Sequence, residues 1–202
     1  MLDNKQLAYL KDQDFLKSKQ VISEKITSEL SGVEERLKEI IRGSDFDYPN
    51  GTFTKSGKIS KGENYKGLPF FILDYPRLFL HEDMFNYRVM IWWGNEISCS
   101  LLLLGRSYEK YRKTLSNNKT ALNDFFFCVN ESPWEYHFER SNFVPISEMD
   151  DSSFQNSLNQ RAFIKFAIKY PLEKLDELKS LSCETYKKFL TLLSGDNIRK
   201  DR

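Results

Sequence analysis

Apolar residues recur every three or four positions from Phe15 through Val21, Ile22, Ile26, Leu30, Val33 and Leu37 to Ile40 and Ile41. That period marks one stripe of an α-helix and predicts a helix over residues 14–42. Asp12 or Asp14 can cap its start and Gly43 ends it, while Ser31 and Glu34 could form a capping box that nicks it at Ser31-Gly32. A stripe of this kind is expected to pack on the chain's own sheet, since coiled-coil pairing needs more heptads than are present.

After Gly43 the period shortens to two. Residues 44–68 are rich in turns, with short strands expected over 51–55 and 58–60. Residues 69–74 read as a strand stopped by Tyr75-Pro76. The run NYRVMIWWGNEISCSLLLLG, residues 86–105, reads as two strands joined by a two-residue Gly94-Asn95 turn. With that turn, the numbers of paired residues sum to 189 (92 with 97, 90 with 99). Trp92 then faces Ile97, Met90 faces Cys99 and Arg88 faces Leu101, an apolar face from which Arg88 projects and needs a partner if buried. The other face pairs Trp93 with Glu96, Ile91 with Ser98, Val89 with Ser100 and Tyr87 with Leu102, a mixture suited to a half-buried surface or a pocket lining.

Residues 107–115 are expected to form a short helix, 123–130 and 134–140 two strands, and 147–158 a helical turn. In the strand 161–170, Ile164, Phe166, Ile168 and Tyr170 should face the core, with Phe163, Lys165, Ala167 and Lys169 on a wet face. Pro171 opens one helix, Ser182 caps a second that stops at Gly195, and 196–202 should fray. These elements imply an α+β fold: a single domain with an antiparallel sheet of about five to six strands, a long N-terminal helix and C-terminal helices packed mainly on one side. Residues 1–43 are its helical start, 44–170 the sheet with one inserted helix, and 171–195 the C-terminal helices.

Composition narrows the functional classes. With 40% hydrophobic and 29% charged residues in 202, the chain is globular in character. Thirty basic and 29 acidic residues leave a net charge of +1, with no general pull toward nucleic acid or anionic membrane. No apolar run reaches the ~20 residues needed to span a bilayer, and the charged N-terminus is unlike a signal peptide. Three widely separated cysteines fit neither a disulfide framework nor a zinc motif, which points to a reducing, cytoplasmic setting. Lysine outnumbers arginine about two to one and alanine is scarce, a composition expected of a bacterium with an AT-rich genome.

Three constellations could carry chemistry. The first is the mixed sheet face of Tyr87, Trp93, Ser98 and Ser100, with Arg77 at a strand end where it could grip a carboxylate or phosphate. The second is the Gly/Lys segment 51–67, in which Lys58 and Lys61 and the freely turning glycines could meet an anion, although it is no P-loop. In the third, Glu135, His137 and Glu139 fall on one side of an extended WEYHFER segment, and with the only other histidine, His81, they could bind a divalent cation. Polar residues at every second position also describe any strand with a solvated face. No nucleophile elbow, HExxH or other catalytic motif is present. The sequence thus indicates a ligand-binding or protein-interaction module, with a small molecule or a protein as partner. The alternatives are a metal-dependent hydrolase or transferase using the His/Glu cluster, and a structural partner whose long N-terminal helix mediates dimerisation; cofactor and oligomeric state are left open.

Overall fold

The computed structural model describes residues 1–195, so the tail expected to fray lies outside the described residues. The fold is α+β, with five α-helices and a seven-stranded antiparallel sheet. Helices α1 (Asn4–Lys11) and α2 (Gln13–Arg42) come first. A meander follows: β1 (Lys58–Tyr65), β2 (Leu68–Leu80), β3 (Asp83–Trp92) and β4 (Glu96–Leu104). Then come α3 (Arg106–Asn117), β5 (Phe126–Cys128), β6 (Phe143–Pro145), α4 (Asp151–Gln160), β7 (Phe163–Pro171) and α5 (Leu178–Ser194). The spatial order is β1-β2-β3-β4-β7-β5-β6, so the last strand lies inside the sheet.

α2 is unbroken, without a nick at Ser31-Gly32, and Asp12 caps it by accepting a hydrogen bond from the Phe15 amide at 2.9 Å. α1 is an additional helix, started by a capping box between Asp3 and Gln6. β2 continues through Tyr75-Pro76, where the ladder to β3 shifts register between Asp74 and Arg77. α5 is one helix with Ser182 inside it, preceded by a 3-10 segment at Leu172–Glu177.

The central hairpin corrects the expected register. Pairs run from Met84 opposite Leu104 to Ile91 opposite Ile97, each summing to 188. The connection therefore holds three residues, Trp93, Gly94 and Asn95, with Gly94 at a φ of 70° and the Asn95 amide donating to the Trp92 carbonyl. One extra loop residue moves β4 by one position against β3. Ile91, Val89, Tyr87 and Phe85 now oppose Ile97, Cys99, Leu101 and Leu103, and all eight are buried on the helical side. Ser98 and Ser100 oppose Met90 and Arg88 on the other face. This register keeps two hydroxyls out of the apolar layer, where unpaired they would be costly.

The helical face carries the main core, in which Leu30, Val33 and Leu37 of α2 join Tyr186 and Phe189 of α5 against the sheet. The opposite face, expected to be wet at Lys165, is closed to water: Lys165 is 0% exposed. The chain between β5 and β6 lies over this face. Residues 134–140 form no strand: the segment is extended, but pairs with no neighbour. No helix of the described residues is long and apolar enough to cross a membrane.

Candidate functional site

The register splits the predicted pocket lining between the two faces of the sheet. Tyr87 is buried on the helical side, its hydroxyl donating to the Ser182 carbonyl of α5 at 2.6 Å, and its ring is 4.9 Å from that of Tyr186. Trp93 stacks on Phe71, with ring centroids 6.3 Å apart. Ser98 and Ser100 belong to the opposite layer, so these four residues line no common cleft. Arg77 is committed locally, donating to the Ser56 carbonyl at 3.0 Å and covering the Phe53 ring. Lys58 stands opposite Asp74 in the β1–β2 register, whereas Lys61 borders a shallow cleft beside Gln20, Ser23 and Glu24 of α2.

Glu135, His137 and Glu139 do come together. Glu135 lies 3.5 Å from His137 Nε2 and Glu139 lies 3.5 Å from Nδ1. The two ring nitrogens point in different directions, so the carboxylates flank the imidazole rather than converging with it on one point. Among the described residues no group of three or more His, Cys, Asp or Glu side chains is arranged to hold a metal ion. His81 is an exposed residue of the β2–β3 turn.

Beneath this segment lies a polar layer that sequence reasoning reached only in part. Arg88 meets Asp74 through Nε to Oδ1 at 2.7 Å and Nη2 to Oδ2 at 2.8 Å, and Asn86 donates to the same carboxylate. The Tyr136 ring covers both cations, with its centroid 4.8 Å from Arg88 Cζ and 4.4 Å from Lys165 Nζ. Lys165 donates to the main-chain carbonyls of Pro133 (2.8 Å) and Glu135. Arg161 does the same for Val129 and Asn130, and Tyr65 accepts from the amides of Tyr136 and His137 while donating to Glu135. A segment without a ladder must satisfy its backbone groups with side chains, and these residues do so. Burial pushes Lys165 down to about 8 and Tyr136 up to about 12. The layer is enclosed and its groups are largely spent on one another, which makes it architecture rather than a site.

The unspent surface is at the N-terminus. Fourteen large hydrophobic residues are exposed among those described, and nine of them lie in the first 22: Met1, Leu2, Leu7, Tyr9, Leu10, Phe15, Leu16, Val21 and Ile22. α1 buries no residue, and the first buried position of α2 is Ile26. Phe15 and Ile22 stand on the same stripe as Ile26, Leu30, Val33 and Leu37, separated by steps of seven, four, four, three and four. Ile26 and Leu30 are 2% and 0% exposed where α2 crosses the sheet; Phe15 and Ile22 are 48% and 44% exposed where it overhangs. Thus the helix packs on the sheet as expected over only part of its length. The missed α1 had a legible signal, since Asp3 and Gln6 have capping-box spacing ahead of Leu7 and Leu10. Compared with known proteins, the chain matches no protein-family model and no curated protein.

Proposed function

We propose that the chain is a protein-interaction module that docks through its N-terminal helical arm, residues 1–25. The supporting observation is the continuation of the α2 stripe beyond the sheet, with Phe15 and Ile22 half exposed on the face that elsewhere is core. Exposed apolar surface costs solubility, and its concentration on one projecting element marks an interface. An amphipathic helix laid into an apolar groove or against another helix is a common mode of recognition. The arm carries five lysines and four acids, a balance that suits a protein surface better than an anionic bilayer. The three buried, unpaired cysteines support a cytoplasmic setting.

The test is the double substitution Phe15→Asp and Ile22→Asp, assayed by melting temperature and by fluorescence of an apolar-surface dye. The reading expects loss of association or of dye binding, with melting unchanged at concentrations low enough that association contributes nothing. A melting temperature lowered as far as by Leu30→Ala would show that the arm belongs to the chain's own core, and would end it.

A further inference from the structure

We infer that the occupant of the arm is a second copy of this chain, paired antiparallel about a two-fold axis near Ser18 and Lys19. This inference rests on the arm being an interface at all. Area is the first argument. Leu2, Leu7, Tyr9, Leu10, Phe15, Leu16, Val21 and Ile22 are each between 36% and 63% exposed. Together they present on the order of 800 Å², above the few hundred usual for the largest patch on a monomer and close to one partner's share of a standard interface.

Charge is the second argument. A surface meant for a strongly acidic or basic partner would carry one sign; this one nearly cancels. Self-pairing also requires that like charges avoid one another, and here direction decides. Two parallel arms would set Lys17 on Lys17 and Lys25 on Lys25; in an antiparallel pair the two copies of Lys19 come near the axis, but each is neutralised by Glu63 of its own chain at 2.7 Å. Two antiparallel arms centred between positions 18 and 19 set Phe15 level with Ile22 of the second copy, twice by symmetry. Asp14 and Lys25 are eleven residues apart and so share one flank of α2, because eleven residues make nearly three whole turns. In this arrangement Asp14 approaches Lys25 of the second copy. Lys25 already bonds Asp176 of its own chain at 2.8 Å, and its ammonium has further protons to give.

Light scattering of the full chain through the micromolar range should give about twice 23.9 kDa, and the Phe15→Asp/Ile22→Asp variant should give the single mass. The native cysteines are all buried, so an introduced thiol reports on the arm alone. Under mild oxidation Ser18→Cys should form a covalent dimer and Lys11→Cys should not, because antiparallel pairing separates the two copies of position 11 by roughly 20 Å. Cross-linking at position 11 as readily as at 18 would overturn the antiparallel arrangement. A monomer whose dye fluorescence disappears in the double variant would overturn self-pairing and leave the interaction reading standing. A monomer with no dye signal would overturn both.

Discussion

Asp74 and Arg88 sit directly opposite one another on β2 and β3 and join by two parallel hydrogen bonds of 2.7 and 2.8 Å, almost out of reach of water. Removing either partner leaves the other charge buried and alone. Asp74→Ala or Arg88→Ala should therefore cost about 3–5 kcal/mol in urea unfolding. Replacing both with apolar residues of similar volume should cost clearly less than the sum of the single changes, because neither charge is then stranded. Equal, additive losses would show that the pair is not coupled.

Lys165 gives stability an unusual pH dependence. Below about pH 8 folded and unfolded chains both hold the proton, and the folded state bears the cost of an enclosed charge. As pH rises through about 8, the folded chain releases the proton while the unfolded chain keeps it to its ordinary value of 10.5, so stability should rise. Cys99, Cys128 and Cys183 are shifted upward by burial and act in the opposite sense above their usual value of 9.0. The gain should accordingly be seen between about pH 8 and pH 9, in denaturant midpoints measured at closely spaced pH. Lys165→Met should abolish it. If the variant keeps the same slope, another group is responsible.

Gly105 links β4 to α3 at a φ of 63°, and a Cβ there would lie 1.8 Å from the Glu82 carbonyl oxygen. Backbone, not a flexible side chain, is in the way. Gly105→Ala should be among the most damaging single changes in the chain, costing more than about 4 kcal/mol or preventing folding. Circular dichroism of the soluble fraction would decide it, and a melting temperature like that of the parent would refute the close approach.

Phe15 and Leu30 test the two halves of one stripe. Leu30→Ala should cost about 2–5 kcal/mol, as expected for a fully buried leucine. Phe15→Ala should fall within about 0.5 kcal/mol of the parent when measured at nanomolar concentration, where association is dilute. A larger effect would mean that Phe15 is held to its own chain by more than the Tyr9 ring, whose centroid lies 5.8 Å away.

Much of this architecture was legible because it is local. The period of α2, the start of β2, the positions of β3, β4 and β7, and the placing of Tyr87, Val89 and Ile91 on the opposite side of β3 from Arg88, Met90 and Trp92 all follow from single segments; which of those two sides is the main core did not. The pairing between segments was not legible to the same degree. Whether two or three residues turn the hairpin at Trp93 depends on what covers each face, and that decided which side Ser98 and Ser100 took. Arg88 announced its need for a partner, but only the β2–β3 register identified Asp74. In WEYHFER the alternation breaks down, since Tyr136 and His137 are both buried and Trp134 is 47% exposed; an extended chain lying on a sheet without a ladder need not keep a strand's period. Lys165 was placed in water because a lysine at every fourth position of a strand usually is. The covering segment that encloses it comes from another part of the chain.

The position of β7 bears on how the protein is made. It is synthesised last among the strands but belongs between β4 and β5. Until residues 163–171 leave the ribosome, β4 ends the nascent meander with its outward amides and carbonyls unpaired, and β5 can join only β6. The finished molecule hides that edge completely; the growing chain has to carry it while residues 105–162 are made, when chaperone capture or sticking to a neighbouring polypeptide is most dangerous.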